Sequence, residues 1–535
     1  MSTIESPAAL TRATHEVLNQ PPPLEGHDAF DADPALREAL AREGGAWGVD
    51  RVRDAGSTFS TPEAHDHCRR AQRNLPILHT HDRYGNRVDR VEYDPGFHWM
   101  LRAGVEREIN SLPWREERQG AHVVRAAMFY LANGLDTGPC CPMAINYAAV
   151  PTLRQDPALA AEMEPDTVLP DYERYAQWGM VMTEKQGGSD LRANTTRAEP
   201  LGDGWYELTG HKWFCSHPVF RWFFTLAQTR EGITCFVAER EQPGFQLQRL
   251  KDKLGGRSLA SAEVEFRGLP ARVLGEEGRG TRYMAEQIVW TRLDTMIGVA
   301  GMVRRAVAEA VWHCRGRRAF GAALADQPAM TNVLADLALE SEAMMAASLR
   351  IVRAYDGEAE APFRRLATAV MKYWVTKRGA PVVVEALECL GGNGYVEEAP
   401  LARLYRDVEI GTVWEGSGNV MALDVLRALA RDPGGLEAYL AECELARGAD
   451  ARLDAHLDGV RHRLAALAGE HLEWQARRLV EELAVALQAS LLVRHAPATS
   501  ADAFCAGRLG EGGRAFGTLP RGVDGARIVE RALAV

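Results

Sequence analysis

Met182-Thr183-Glu184-Lys185-Gln186-Gly187-Gly188-Ser189-Asp190 divides the chain into two textures. Upstream, from about Phe97 to Val181, apolar residues recur at helical spacing. Val123, Val124, Ala127, Met128 and Leu131 share one face. Downstream the chain breaks into short apolar runs between turns. Trp205, Tyr206 and Leu208 precede Gly210, and the runs Trp222-Phe223-Phe224-Thr225-Leu226 and Ile233-Thr234-Cys235-Phe236-Val237 follow. Ala262-Glu263-Val264-Glu265-Phe266 alternates strictly, and Asp203-Gly204 and Glu231-Gly232 punctuate the runs. Short strands joined by tight turns are expected, as a small antiparallel β domain over about 182–280.

Helical spacing returns near Thr281. Between Thr331 and Tyr355 it places Leu334, Leu337, Ala338, Met345, Leu349 and Val352 on one side, and segments near 364–390 and 420–430 continue the pattern. A helical bundle is the natural packing. Asp432-Pro433-Gly434-Gly435 then breaks the chain, and Leu453 to Leu492 reads as helix again. At the other end, residues 1 to about 60 are mixed, with Pro21-Pro22-Pro23 as an extended spacer. The predicted fold class is α+β. A helical domain with an extension (1–181) precedes the β domain (182–280), a bundle domain (281–432) and a helical tail domain (433–535).

A chain of 535 residues exceeds one core and predicts two to four domains. A net charge of −11 excludes a surface that is basic throughout, though not a local basic groove. No run of 18 apolar residues predicts a membrane span, and Met1 to Phe30 lacks the basic start and apolar core of a secretory leader. A cytoplasmic location is expected. The nine cysteines form no C-x-x-C pair and read as reduced and mostly buried. His65-Asp66-His67-Cys68 looks metal-like in isolation but has no companion ligands in view, so no metal is expected.

Five segments offer chemistry, and each has a plainer alternative. Gly187-Gly188-Ser189 lets the backbone approach a bound group, or makes a turn. In Gly210-His211-Lys212-Trp213-Phe214-Cys215-Ser216 the adjacent rings point to opposite faces, so one stacks on a planar cofactor or both fill the β core. Arg317-Arg318-Ala319-Phe320-Gly321, with Gln327, is a phosphate clamp or a basic helix end. Leu390-Gly391-Gly392-Asn393-Gly394-Tyr395 allows close approach of a ligand or another chain, or is a loop after a helix C-cap. In Trp414-Glu415-Gly416-Ser417-Gly418-Asn419, Ser417 and Asn419 are candidate caps of the following helix. Glu415 would lie before a helix start, whose dipole favours its charged form. A base near neutral pH needs desolvation instead, which Trp414 and a bound substrate would supply. The alternative is an ordinary acidic residue.

The five segments in this order resemble the acyl-CoA dehydrogenase superfamily, whose members carry T-E-x-x-x-G-S-D, G-x-K-x-x-x-(S/T), R-x-x-F-G, G-G-x-G and (Y/W)-E-G-(S/T). Thr14-His15-Glu16-Val17-Leu18-Asn19-Gln20-Pro21, Asn194-Thr195-Thr196-Arg197-Ala198-Glu199 and the helical tail look most like its AidB alkylation-response branch. The resemblance implies an FAD flavoprotein with an N-terminal helical domain, a middle β domain, a C-terminal four-helix bundle and an extra helical domain. It implies that Met182, Thr183, Gly188 and Ser189 contact the flavin, and that Trp213, Phe214 and Ser216 line it. Arg317, Phe320 and Gln327 would hold the pyrophosphate and adenine side across a subunit boundary, as would Glu388, Gly391 and Gly392 for a neighbour's adenosine. Trp414, Ser417 and Asn419 would complete the cofactor site, and such sharing implies a homotetramer.

The same resemblance implies α,β-dehydrogenation of an acyl-CoA, with Glu415 removing the α proton while hydride leaves the β carbon for the flavin. Thr291 and Arg292 would face the substrate. The isovaleryl-CoA branch carries its base near this point, and Thr291 stands there, which leaves Glu415 as the base. Val289-Trp290 departs from the small or acidic residue common before the Thr-Arg pair and implies a short or branched acyl group. AidB-type proteins are associated with double-stranded DNA and with alkylating agents. From Arg431 to Val535 there are 13 Arg, no Lys and 15 acidic residues, so DNA binding through the tail would need arginines gathered on one face.

Overall fold

The computed structural model describes residues 13–466 and 472–535. In the N-terminal half, capping chemistry decides where helices start. Asp33, Thr61, Asp94 and Asp156 each accept a backbone N–H at the start of a helix whose first turn carries proline: Pro34–Leu40, Pro62–Arg73, Pro95–Glu106 and Pro157–Thr167. Helix Ala121–Leu135 is buried on every face. It is the axis of this domain and packs along helix Gly280–Gly316. A hairpin that the periodicity did not announce, β1 (Ile77–His81) and β2 (Arg87–Glu92), turns where Asp82 accepts the N–H groups of Tyr84 and Asn86.

The middle domain holds β3 (Trp178–Val181), β4 (Arg197–Gly202), β5 (Trp205–Ser216), β6 (Trp222–Thr229), β7 (Gly232–Glu239), β8 (Phe245–Leu250) and β9 (Ser261–Val273). Asp203 (φ 51°) and Gly204 (φ 78°) form the two-residue turn between β4 and β5, the left-handed pair that matches strand twist. Antiparallel pairings run β4–β5–β9–β7–β6, and a single parallel pair, Arg197 with Gln228, closes the ring from β6 to β4. The antiparallel expectation therefore holds for the hairpins but not for β3, which lies parallel to β6. Parallel pairing needs a long connection, and the loop around Met182–Asp190 begins one. The sheet also starts before Met182, because Trp178 is buried and stacks on Phe224.

Helices Gly280–Gly316, Pro328–Arg353, Ala361–Cys389 and Gly418–Arg431 form the bundle. Asp432-Pro433 is not a linker: helix Pro433–Glu444 starts at once, with proline in its first turn. The expected run Leu453–Leu492 is two helices, Ala451–Ala466 and Leu472–His495. Residues 467–471 between them lie outside the described residues, as do the first twelve of the stretch read for a leader. The tail is built into the bundle. Trp374 Nε1 donates to Gln488 Oε1 (2.8 Å), and Arg508 bridges the buried Asp336 and Glu340. Among the described residues no helix is long and apolar enough to cross a membrane, and no group of His, Cys, Asp and Glu could hold a metal.

Candidate active site

The loop after β3 is tied down by a charge pair in the interior. Lys212, on β5, places Nζ 2.8 Å from Glu184 Oε1 and donates to the Leu226 carbonyl (2.8 Å). Glu184 also accepts the N–H of Thr195 (2.7 Å) and of Thr196 (3.2 Å). Burial raises the Glu184 carboxyl, but Lys212 and these donors outweigh it and bring it down to about 2. Burial lowers Lys212 to about 8, which leaves the pair ionised at neutral pH. With its ends held, the loop presents Gly188 and Ser189 to solvent, and the Thr183 carbonyl accepts the Trp213 N–H (2.7 Å).

Trp213 and Phe214 leave the ladder: the β5–β9 register slips between Lys212 and Cys215. Such bulges re-aim side chains. The Phe214 ring is 49% exposed, and Ser216 follows two residues later on the same face. The result is an exposed ring beside a hydroxyl, with Lys251 Nζ 4.8 Å from the ring centroid. Ser216 Oγ lies 3.5 Å from Ser261 Oγ, which in turn faces Lys253 Nζ (3.3 Å). Lys253 is lowered to about 8 by burial.

Glu415 stands in the left-handed region (φ 56°), a conformation non-glycine residues rarely hold without support. Two cations supply that support. Lys372 Nζ donates to the Trp414 carbonyl (2.7 Å) and to the Gly416 carbonyl, and Arg292 Nε donates to the Glu415 carbonyl (2.8 Å). Arg292 is itself fixed by Asp424 (2.8 Å), which also holds Arg365 (2.9 Å). Burial raises the Glu415 carboxyl, while the Thr291 hydroxyl, Arg292 and Lys372 limit the rise. Cys141, from helix Thr137–Leu153, joins the two halves: its thiol meets the Ser216 hydroxyl and feels the Glu415 charge. The thiol is raised to about 12 by burial, so it lines the site as an un-ionised group.

The predicted residues thus fall into two groups. Met182, Thr183, Gly188, Ser189, Trp213, Phe214, Ser216, Thr291, Arg292, Trp414, Glu415, Ser417 and Asn419 belong to the first. The second comprises Arg317, Phe320, Gln327, Glu388, Gly391 and Gly392. Helix Gly280–Gly316 is unbroken between them, so Arg317 lies about 39 Å farther along its axis than Thr291 at 1.5 Å per residue. Phe320 sits fully exposed at the tip of a short hairpin, and Gln327 Nε2 donates to the Ala319 carbonyl (2.9 Å). The N-terminal strap braces this hairpin. Asn19 accepts from and donates to the Arg318 backbone (2.6 and 2.8 Å), and Gln20 accepts from Asn393 (3.0 Å).

Ser417 occupies the N-cap position expected of it, though without a side-chain cap bond, while Asn419 lies inside the helix, where its Oδ1 accepts from Arg477 Nε (2.8 Å). Sequence reasoning also passed over Lys372, Cys141 and Lys253. Lys372 carried a signal: it is the lone charge in the apolar run Ala369-Val370-Met371-Lys372-Tyr373-Trp374-Val375. Trp290 is buried among Trp114, His122, Tyr147 and Tyr355, with ring centroids 4.6–5.3 Å away.

Three family models match consecutive parts of the chain. They are the adaptive response protein AidB N-terminal domain (19–174), the acyl-CoA dehydrogenase middle domain (179–269) and the acyl-CoA dehydrogenase C-terminal domain (278–430). The putative acyl-CoA dehydrogenase AidB of Escherichia coli K12 is 39% identical over 511 residues, 92% of this chain and 94% of that protein. Caenorhabditis elegans ACDH-11, solved with C11-CoA, superposes with a TM-score of 0.84 at 24% identity over 100% of this chain and 95% of its own. Butyryl-CoA dehydrogenase from Megasphaera elsdenii gives 0.60 at 20% identity, covering 98% of its own chain but 74% of this one. The longer architecture is therefore shared with the first two and exceeds the third. By these matches and its α–β–α order, the chain belongs to the acyl-CoA dehydrogenase family of FAD-dependent oxidoreductases and is AidB-like.

Proposed function

We propose that this protein dehydrogenates a short or branched acyl-CoA at its α and β carbons, with Glu415 as the base. The observation that carries the reading is the Glu415 loop. Lys372 and Arg292 hold its backbone in the left-handed region, and its raised carboxyl acts on Cys141, whose thiol meets the Ser216 hydroxyl. The site fits FAD. The exposed Phe214 ring suits a planar ring system, and the helix start at Ser417, which has no side-chain cap bond, suits a diphosphate. When bound, FAD supplies the acceptor for the hydride lost from the β carbon. Met182, Thr183, Gly188, Ser189, Trp213, Phe214, Ser216, Trp414, Ser417 and Asn419 would orient it, and Thr291 and Arg292 would order the substrate side. The raised carboxyl of Glu415 takes the α proton, and closing the site over substrate would desolvate it further. Trp290 and its ring cluster limit acyl length. ACDH-11, of the same architecture, was solved with a C11 acyl-CoA, so the acyl-CoA class is shared while chain length is set locally. Anaerobic titration with a panel of acyl-CoAs should bleach the flavin band, most efficiently with short or branched chains. Glu415→Gln should keep the band and lose bleaching by about 10²–10⁴-fold in rate. No bleaching by any ester overturns the reading.

The second group of residues serves a neighbouring copy. One cofactor cannot span the length of the long helix, and Phe320 protrudes with nothing of its own chain to cover it. The assembly is a homotetramer, in which Arg317, Phe320, Gln327, Glu388, Gly391 and Gly392 reach another subunit's FAD. Nine free cysteines suit a reducing compartment such as the cytoplasm.

A role in the DNA alkylation response is a second reading, supported by the AidB relationship along the whole chain. Among the described residues, eight of the thirteen tail arginines pair with carboxylates: Arg447, Arg452, Arg461, Arg463, Arg478, Arg494, Arg508 and Arg531. Contacts to duplex phosphates would fall to Arg431, Arg514, Arg521 and Arg527. Replacing each with Ser should lower the salt dependence of duplex retention by about one unit of slope. Retention with an unchanged slope removes the tail from this role.

A further inference from the structure

The tail helix Leu472–His495 runs against the start of helix Gly418–Arg431. The two helices pack closely at Gly418. A Cβ there would come to 3.2 Å from Arg477 Nη2 and 2.7 Å from Lys377 Cε. Arg477 has no carboxylate partner among the described residues, and its one polar contact is with a side chain of the candidate site. Its Nε donates to Asn419 Oδ1 at 2.8 Å. That bond settles which way the Asn419 amide faces. The oxygen is bound to Arg477, so the Nδ2 group is turned away from the guanidinium and both its protons remain to be donated.

We propose that Arg477 is a positioning residue for the cofactor, supplied by the tail, which holds the Asn419 amide with its N–H donors towards an acceptor oxygen of FAD. The inference rests on the reading that Ser417 and Asn419 hold the cofactor. It ties the helical tail to flavin binding: the tail reaches the site through one side chain and orders a donor that would otherwise rotate freely. Ordering a donor before binding strengthens the complex by removing that rotational cost from the binding step.

The experiment is FAD affinity of the full-length apoprotein, read by flavin fluorescence, for a double-mutant cycle of Arg477→Met and Asn419→Ala. Circular dichroism and the apoprotein Tm report the fold. Arg477→Met should weaken FAD roughly tenfold, the scale of one charge-assisted hydrogen bond, and should have no further effect once Asn419 is Ala. Asn419→Asp gives the decisive readout. It keeps an acceptor for Arg477, so a structural link survives, yet it has no N–H to donate. FAD should weaken as much as in Asn419→Ala while the apoprotein Tm stays unchanged. Full FAD affinity in Asn419→Asp overturns the proposal, and so do additive effects in the cycle. If Asn419→Ala weakens FAD and Arg477→Met does not, the proposal fails while the cofactor reading of the segment stands. If Ser417→Ala and Asn419→Ala both leave affinity intact, that reading falls with it.

Discussion

Lys372 Nζ lies 2.7 Å from the Trp414 carbonyl oxygen and also binds the Gly416 carbonyl, so one buried ammonium grips the backbone on both sides of Glu415. Burial lowers this lysine to about 7, and the Glu415 carboxylate opposes that fall. The two groups therefore set each other's charge.

This coupling predicts a pH effect with a definite sign. As the proposed base Glu415 would act ionised, and its carboxyl is raised above the ordinary 4.5, so kcat/KM should fall as pH drops through that raised value. Lys372→Met removes a positive charge that limits the rise. The acid limb of the profile should move to higher pH, and kcat should fall as the left-handed loop loses its hold. An acid limb that stays in place would show that Lys372 does not act on the base.

Breaking the pair under the β3 loop should cost stability. Glu184 and Lys212 have fully buried side chains, so Glu184→Gln or Lys212→Met leaves a charge without its partner. A loss of about 3–5 kcal/mol is expected in urea unfolding. Because the Glu184 carboxyl is lowered from 4.5 to about 2, its contribution is present above pH 4.5 and lost as pH falls towards 2. The wild-type protein should lose stability over that window more steeply than Glu184→Gln.

Phe320 is fully exposed at a left-handed φ of 52° on its hairpin tip. Phe320→Asp should leave the monomer fold intact, since the ring touches no core. Sedimentation velocity should show smaller assemblies and the absorbance should show lost flavin. Unchanged assembly size and flavin content would assign the ring to another task.

Trp290 fills the space that a longer acyl chain would need if that chain enters beside Thr291. Trp290→Ala should lower KM for longer acyl-CoAs relative to butyryl-CoA. It should also destabilise the protein by about 3–5 kcal/mol, as large-to-small core changes do. Stability loss without a change in chain-length preference would mark the cluster as core alone.

Much of the fold was legible in local pattern, and the exceptions have physical causes. Strict alternation marked β9, short apolar runs marked β5, β6 and β7, and Asp203-Gly204 marked a turn, because these depend on neighbours in sequence. β3 was absorbed into the preceding helical run, since four residues of Trp178–Val181 are too few to show a period and pair with β6 across a long connection. Ser417 takes the N-cap position expected of it, whereas Asn419 falls inside the helix and gives its oxygen to Arg477, 58 residues away.

By itself the sequence determined the α–β–α order, the motif segments and Glu415 as the candidate base, because periodicity and short spacings are local properties. Only the tertiary structure decided what surrounds that carboxyl. Lys372 and Arg292 approach it from two helices, Cys141 from a third, and the tail reaches the neighbouring Asn419. Burial and charge at Glu415 are sums over residues distant in the chain, and no local pattern contains them.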